Sequence, residues 1–217
     1  MYLSKTPKLL KTLYPNLTWD IPTQKGVVYL TFDDGPIPEV TPYVLQVLAQ
    51  YQIKATFFCI GDNVQKHPEV FEEIIKAGHA IGNHTQHHVN GWATLDRDYI
   101  DQVNQAAEFI PSKLFRPPYG RIKRSQAGLL QKEGYKVVMW TILSADYDHK
   151  LSNEECLRRV VRRIESGDIY LFHDSEKGKE RMLAVLPRLL KVATDKGFLF
   201  KKIEEVLELK IRPAVAQ

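Results

Sequence analysis

Short apolar runs of strand length alternate with amphipathic stretches of helix length along most of this chain. That alternation limits the folds open to it. Gly26–Phe32 (GVVYLTF) is a continuous apolar run, the pattern of a strand buried on both faces. Helical spacing follows over Glu39–Tyr51, through Val40, Tyr43, Val44, Val47 and Leu48. Ala55–Ile60 is a second strand. His67-Pro68 opens a helix that Gly78 stops, and His79–Gly82 is short and extended. A helix at Asp98–Phe109, a strand at Lys113–Arg116 and a helix at Arg124–Glu133 come next. Then follow a strand at Tyr135–Trp140, a helix at Asn153–Ser166 and a strand at Asp168–Phe172. A helix at Lys179–Thr194, an extended Phe198–Phe200 and a last helix at Lys201–Leu209 complete the pattern. Strands separated by helices pair in parallel, in an open sheet or a barrel. About seven such units in 217 residues predict an α/β fold of the second kind, a distorted, incomplete (β/α) barrel of parallel strands.

The residues suited to chemistry collect just after the strands, where ligand sites lie in parallel α/β folds. Asp33 and Asp34 end the first apolar run, and Gly35-Pro36 supplies a bend there. A plain turn explains Asp-Gly alone, but two carboxylates at the end of a buried strand call for a cation nearby. His84-Thr85-Gln86-His87-His88 holds three of the seven histidines. His84 and His88, four apart, suit one face of a helical turn and one metal ion; His84 and His87, three apart, are the alternative. Imidazoles and one carboxylate make a facial set for zinc, cobalt, nickel or iron. Arg116-Pro117-Pro118-Tyr119-Gly120 follows another strand, and its prolines stiffen the backbone. His173 ends a later strand. An Asp at 146 could orient it and raise its pKa, making a proton donor near neutral pH. His67 and His79 read as structural, and His149 as exposed.

Composition narrows the partners. A formal charge of +4, with no basic run interleaved with aromatics, points away from nucleic acid. Cys59 and Cys156 are far apart and lack C-x-x-C spacing, so neither a zinc ribbon nor a redox pair is expected. No apolar stretch reaches bilayer-spanning length. The first residues show no secretory signal, so a cytoplasmic or membrane-surface location is expected for the chain as it stands. Secretion stays open for a form with residues ahead of Met1. Leu9, Leu10, Leu13 and Leu17, with Lys5, Lys8 and Lys11, form a short basic amphipathic segment. Packing on the barrel is its expected role; contact with a membrane surface is the weaker alternative.

Taken in order, five segments resemble the polysaccharide deacetylases, also called the NodB-homology domain or carbohydrate esterase family 4. Thr31-Phe32-Asp33-Asp34-Gly35 looks like the motif T-F-D-D-G. His84 to His88 matches H-[S/T]-x-x-H, and Arg116-Pro117-Pro118-Tyr119 matches R-x-P-Y. Leu143-Ser144-Ala145-Asp146-Tyr147 resembles D-x-x-D-W imperfectly, and Leu171-Phe172-His173 matches L-x-H. Each motif alone is weak, whereas the ordered set is specific.

The resemblance implies a hydrolase that removes the N-acetyl group from an N-acetylglucosamine-containing glycan, chitin-like or peptidoglycan-like. It implies one divalent metal, zinc first with cobalt or nickel as alternatives, held by Asp34, His84 and His88. Asp33 would be the general base, paired with Arg116. The Tyr119 amide would help bind the oxyanion, His173 would be the general acid tuned by Asp146, and Leu171 would receive the acetyl methyl. The resemblance divides the chain into an extension at 1–25 that packs on the barrel, a deacetylase domain at 26–210 and a tail at 211–217. Leu143 stands where the family has an Asp, and Tyr147 where it has Trp, which alters the wall of the groove. Two other readings remain: an amidohydrolase of small or lipid-linked N-acyl compounds, and an inactive carbohydrate-binding module.

Overall fold

The computed structural model describes residues 4–203. In chain order its elements are α1 (Lys8–Leu13), β1 (Val27–Asp33), α2 (Thr41–Gln50), β2 (Thr56–Cys59), α3 (Gly61–Lys66), α4 (Pro68–Lys76), β3 (Ala80–Asn83) and α5 (Asp96–Ala107). Then come β4 (Leu114–Phe115), α6 (Arg124–Lys132), β5 (Lys136–Val137), β6 (Ile142–Leu143), α7 (Asn153–Val161), β7 (Ile169–His173), α8 (Lys179–Asp195) and β8 (Leu199–Lys201). The strands follow the order β5-β4-β3-β2-β1-β7-β6, and β8 joins the start of β1, where Val27 to Tyr29 face Leu199 to Lys201. All of these pairings are parallel. The result is the expected incomplete (β/α) barrel.

The two ends of this strand order are neighbours in sequence, because β5 and β6 are separated only by Val138–Thr141. The N-terminal segment spans the break between them. Thr18 bridges Val138 in parallel, and Lys5 bridges Ile142 antiparallel. Thr18 N–H donates to Val137 O at 2.9 Å, and Leu143 N–H donates to Ser4 O at 3.0 Å. Unpaired backbone at a sheet edge is a liability, and this strap covers both edges. Leu17, Trp19 and Ile21 anchor it as buried side chains, and Lys5 pairs with Glu165 at 2.5 Å. α1 buries none of its residues; Leu9, Leu10 and Leu13 stay exposed.

β1 shows how the sequence sorts itself between two faces. Successive strand residues point to opposite sides. Val28, Leu30 and Phe32 pack outward with the buried faces of α2, α4, α7 and α8. Val27 and Tyr29 point inward and meet Phe58, Leu114, Val138 and Ile169. Continuing the alternation puts Thr31 and Asp33 on the inner side as well. A carboxylate therefore caps the barrel interior.

Several boundaries differ from the sequence expectation. The expected strand at Tyr135–Trp140 is the short β5, with a second strand, β6, beyond it. The chain breaks stride there to cross from one sheet end to the other. α3 was not expected; it is one short turn held against the site loops. α7 ends at Val161, and a turn closed by Gly167 at φ 89° replaces the rest of that helix. Lys201 ends β8, and the remainder of the helix expected to Leu209, like the tail at 211–217, lies outside the described residues. No helix among the described residues is long and apolar enough to cross a membrane. Cys59 and Cys156 are both free and buried. His79 is structural as expected: Ala55 N–H donates to its Nδ1 at 3.1 Å, and burial, aided by the Lys54 and Lys202 charges, pulls its pKa down to about 4.

If the strap is integral to the fold, truncating its largest anchor must cost what a core residue costs. Trp19→Ala is expected to lose about 3–5 kcal/mol of unfolding free energy in urea titration. A loss below about 1 kcal/mol would show the strap to be dispensable.

Candidate active site

The segments that follow β1 through β7 meet around one cavity of about 550 Å³. Asp33 ends β1 and is buried at 3% exposure. Its partner is Arg116, which leaves β4 and lies fully buried in the barrel interior. Arg116 Nη1 donates to Asp33 Oδ1 at 2.7 Å and to Thr31 Oγ at 2.6 Å. Nε donates to Val138 O at 3.2 Å, and Nη2 to Met139 O at 2.9 Å. The guanidinium carbon sits 4.1 Å from the Phe58 ring centroid. Burial lowers the Arg116 pKa against the pull of Asp33, yet a guanidinium starts so high that it stays charged. A buried charge is tolerable only when paired and hydrogen-bonded, and this one is both.

Asp34 comes one residue later and reaches the same cavity because its backbone turns back, at φ 82°. His84 follows β3, buried at 1% exposure, with Nδ1 2.7 Å from the Arg116 carbonyl oxygen. That carbonyl accepts, so Nδ1 carries the proton and Nε2 offers its lone pair. Burial is the main influence on His84 and keeps it neutral, with its pKa drawn down to about 4. His88 Nε2 lies 3.2 Å from Asp34 Oδ1, and His84 Nε2 lies 3.6 Å from the same oxygen. The three donor atoms all fall within 4.8 Å of one another. Donors about 2.0–2.1 Å from one tetrahedral ion stand roughly 3.4 Å apart, so the spacing fits. The buried Asp34 Oδ1 has no aligned hydrogen-bond donor among the described residues, as a ligand atom awaiting a cation would not. Burial alone would raise the Asp34 pKa; His88 first, then His173 and His84, outweigh it and hold the carboxyl well below its usual range.

The structure chooses between the histidine alternatives. His87 is exposed, and its ring meets Gln102 at 3.1 Å, away from Asp34. The reason given by the sequence was wrong in one respect. Residues 84–88 form an irregular loop, not a helical turn, with Thr85 at φ 65° and His88 at φ 54°. Asn83 Oδ1 holds the loop by accepting from Thr85 N–H at 2.9 Å.

Opposite the triad, His173 Nδ1 meets Asp146 Oδ1 at 2.7 Å, and His173 N–H donates to Asp146 Oδ2 at 2.8 Å. Asp146 is fully buried, held by Ser144 Oγ at 3.0 Å. Burial would lower the His173 pKa, but the Asp146 charge and hydrogen bond, with Asp34 and Asp33 behind them, push it up to about 9. Leu143, Leu171, Trp140 and Tyr147 make the apolar side of the cavity. Leu143 thus packs as wall rather than leaving a polar gap, and Tyr147 meets the His173 ring edge-on at 4.9 Å. Tyr119, at φ 60° and 60% exposed, lies against the His88 ring at 4.5 Å.

Sequence reasoning missed four neighbours. Trp140 lines the cavity, Asn63 Nδ2 donates to Asp34 O at 2.7 Å, and Arg181 Nε donates to Asp146 O at 2.7 Å. Asp174, fully enclosed, has its pKa pushed up to about 8, by burial first and by Asp34, against hydrogen bonds from Thr41 and Gly35. Only Asp174 had a signal, its place next to His173.

The polysaccharide deacetylase family model matches residues 20–138. A peptidoglycan-N-acetylglucosamine deacetylase of Bacillus cereus is 34% identical over 210 residues, 93% of this chain and 99% of that protein. The chain belongs to the polysaccharide deacetylase family. It is accordingly a hydrolase of carbon–nitrogen bonds other than peptide bonds. A chitooligosaccharide deacetylase of Sinorhizobium fredii is 30% identical, covering 82% of this chain and 90% of its own. The crystal structure of the Bc1960 peptidoglycan N-acetylglucosamine deacetylase, bound to a naphthyl N-hydroxybenzamide, superposes with a TM-score of 0.85. It shares 29% identity over 93% of this chain and 96% of that one.

The Arg116–Asp33 pair yields a stability prediction. Arg116→Met removes the cation and strands a buried carboxylate, at an expected cost of roughly 3–5 kcal/mol in chemical denaturation at neutral pH. A variant as stable as the parent would mean that the Arg116–Asp33 pair does not hold the barrel interior together.

Proposed function

We propose that this family member is a divalent-metal-dependent deacetylase acting on N-acetylglucosamine units of a peptidoglycan-like or chitin-like glycan, releasing acetate and a free amine. The observation that carries the reading is the arrangement of two carboxylate-bonded pairs, Asp33–Arg116 and Asp146–His173, around the Asp34, His84 and His88 triad. Relatives that act on peptidoglycan and on chitooligosaccharides support the substrate class.

The triad of two imidazoles and a carboxylate suits zinc, with cobalt or nickel as substitutes. A divalent ion held there supplies Lewis-acid polarisation of the amide carbonyl and acidifies the attacking water. The chain's own groups do the rest. Asp33 takes the proton from that water, while Arg116 fixes its orientation. The Tyr119 amide donates to the oxygen on which negative charge develops. His173, its Nδ1 committed to Asp146, gives a proton from Nε2 to the departing amine; without it the C–N bond would not break productively. Leu171, with Leu143 and Trp140, surrounds the acetyl methyl. An inactive binding module would need neither acid nor base, and here both are held by buried hydrogen bonds.

Asp33→Asn is expected to bind zinc as the parent does yet release acetate from N-acetylglucosamine oligomers at least a hundredfold more slowly. Undiminished release would reject Asp33 as the base. Release of acetate only from small N-acyl metabolites, and from no glycan, would overturn the substrate class.

The pH profile follows from His173. An acid works only while protonated, so activity falls as pH rises through its pKa of about 9, or below that once Asp34 is engaged with a cation. Asp146→Asn removes the largest support for the imidazolium. The alkaline limb of kcat/KM is then expected to move to lower pH by at least one unit. An unmoved limb would show that another group donates the proton.

A further inference from the structure

Two peptide groups flank the α-carbon of Asp34, and both are tied to Asp174. The carbonyl of the first, Asp33 O, accepts from Asp174 N–H at 3.1 Å. The amide of the second, Gly35 N–H, donates to Asp174 Oδ1 at 3.1 Å. The settings of these two planes are the φ and ψ of Asp34, and φ stands at 82°, in the left-handed region that a side chain with a Cβ disfavours. The second carboxylate oxygen is anchored in turn, since Thr41 Oγ donates to Asp174 Oδ2 at 2.7 Å. The fit leaves no slack, because a methyl added at Gly35 would lie 2.0 Å from that oxygen. Asp174 is buried at 1% exposure and is absent from the groups that line the cavity, so it is not itself in reach of substrate.

We propose that Asp174 is a positioning residue: its carboxyl group locks Asp34 in the left-handed conformation that presents Asp34 to the divalent ion shared with His84 and His88. The inference rests on the metal reading above and extends it to a residue outside the ligand set. A loop released from this clamp spends only part of its time with Asp34 turned toward the imidazoles. Apparent metal affinity falls by the fraction of time lost.

The test is the zinc affinity of the metal-free protein, measured by chelator competition, with thermal melting of each metal-free variant alongside. Asp174→Ala is expected to weaken zinc roughly tenfold, the effect of a competent population reduced to about a tenth. Asp174→Asn keeps an acceptor for Gly35 N–H but cannot ionise, and is expected to stay within about threefold of the parent. Gly35→Ala intrudes on the same clamp and is expected to weaken zinc as Asp174→Ala does, the double variant being no weaker than the worse single one. Should Asp174→Ala fail to fold, Asp174→Asn and Gly35→Ala carry the comparison. Variants that melt earlier but bind zinc as tightly as the parent would overturn the proposal, leaving Asp174 a merely structural acid. An Asp174→Asn variant tenfold weakened would overturn it too, since charge rather than the Gly35 bond would then be at work. A parent protein that binds no zinc would instead overturn the metal reading itself.

Discussion

Everything at the mouth of this barrel depends on one buried cation. Arg116 occupies the interior where a (β/α) barrel ordinarily stacks aliphatic side chains. Its guanidinium is satisfied by a carboxylate, a hydroxyl and two carbonyls, and it lies against the Phe58 ring. That network joins β1, β4 and the crossing segment after β5. It also reaches the triad, because the Arg116 carbonyl accepts from His84 Nδ1 and so fixes which ring nitrogen faces Asp34. One residue therefore orients Asp33 with its side chain and sets the tautomer of His84 with its backbone.

The second constraint is strain. Asp34, Thr85, His88, Tyr119 and Ala145 all carry positive φ, and each sits in a loop that opens onto the cavity or adjoins Asp146. Such conformations cost on the order of 1–3 kcal/mol each and persist only where surroundings over-determine them. Here the surroundings can be named. Asp174 and Asn63 hold the turn at Asp34, and Asn83 holds Thr85. The outward packing of Val28, Leu30 and Phe32 supplies a rigid base on which that strain can be kept.

Much of this was legible in the sequence, and the limits have physical causes. Long, strongly periodic segments such as Lys179–Asp195 and the run at Val27–Asp33 were read nearly to their ends, because burial imposes the pattern that defines them. β5 was drawn too long and β6 missed because two-residue strands leave too few positions for any period to show. The residues at the site were found by type and by order along the chain. Their geometry was not. Helical spacing suggested His84 and His88 for a reason the loop does not obey; what brings the imidazoles together is the turn at Thr85. Asn63 and Arg181 act on backbone carbonyls, and no pattern in a sequence marks a side chain for that work.

The site uses two buried or nearly buried aspartates in opposite ways, and the difference lies wholly in their partners. Asp33 is bonded to a guanidinium that does not give up a proton near neutral pH, so the proton Asp33 takes up in the proposed reaction comes from elsewhere. Asp146 is bonded to an imidazole that can, so its charge is felt as a higher affinity of His173 for its proton. In the proposed reaction the proton enters on the Asp33 side and leaves on the His173 side, with the Asp34, His84 and His88 triad between them. The direction of proton flow is thus written into which cation each aspartate faces, and the barrel interior determines that choice by burying Arg116 beneath one of them and not the other.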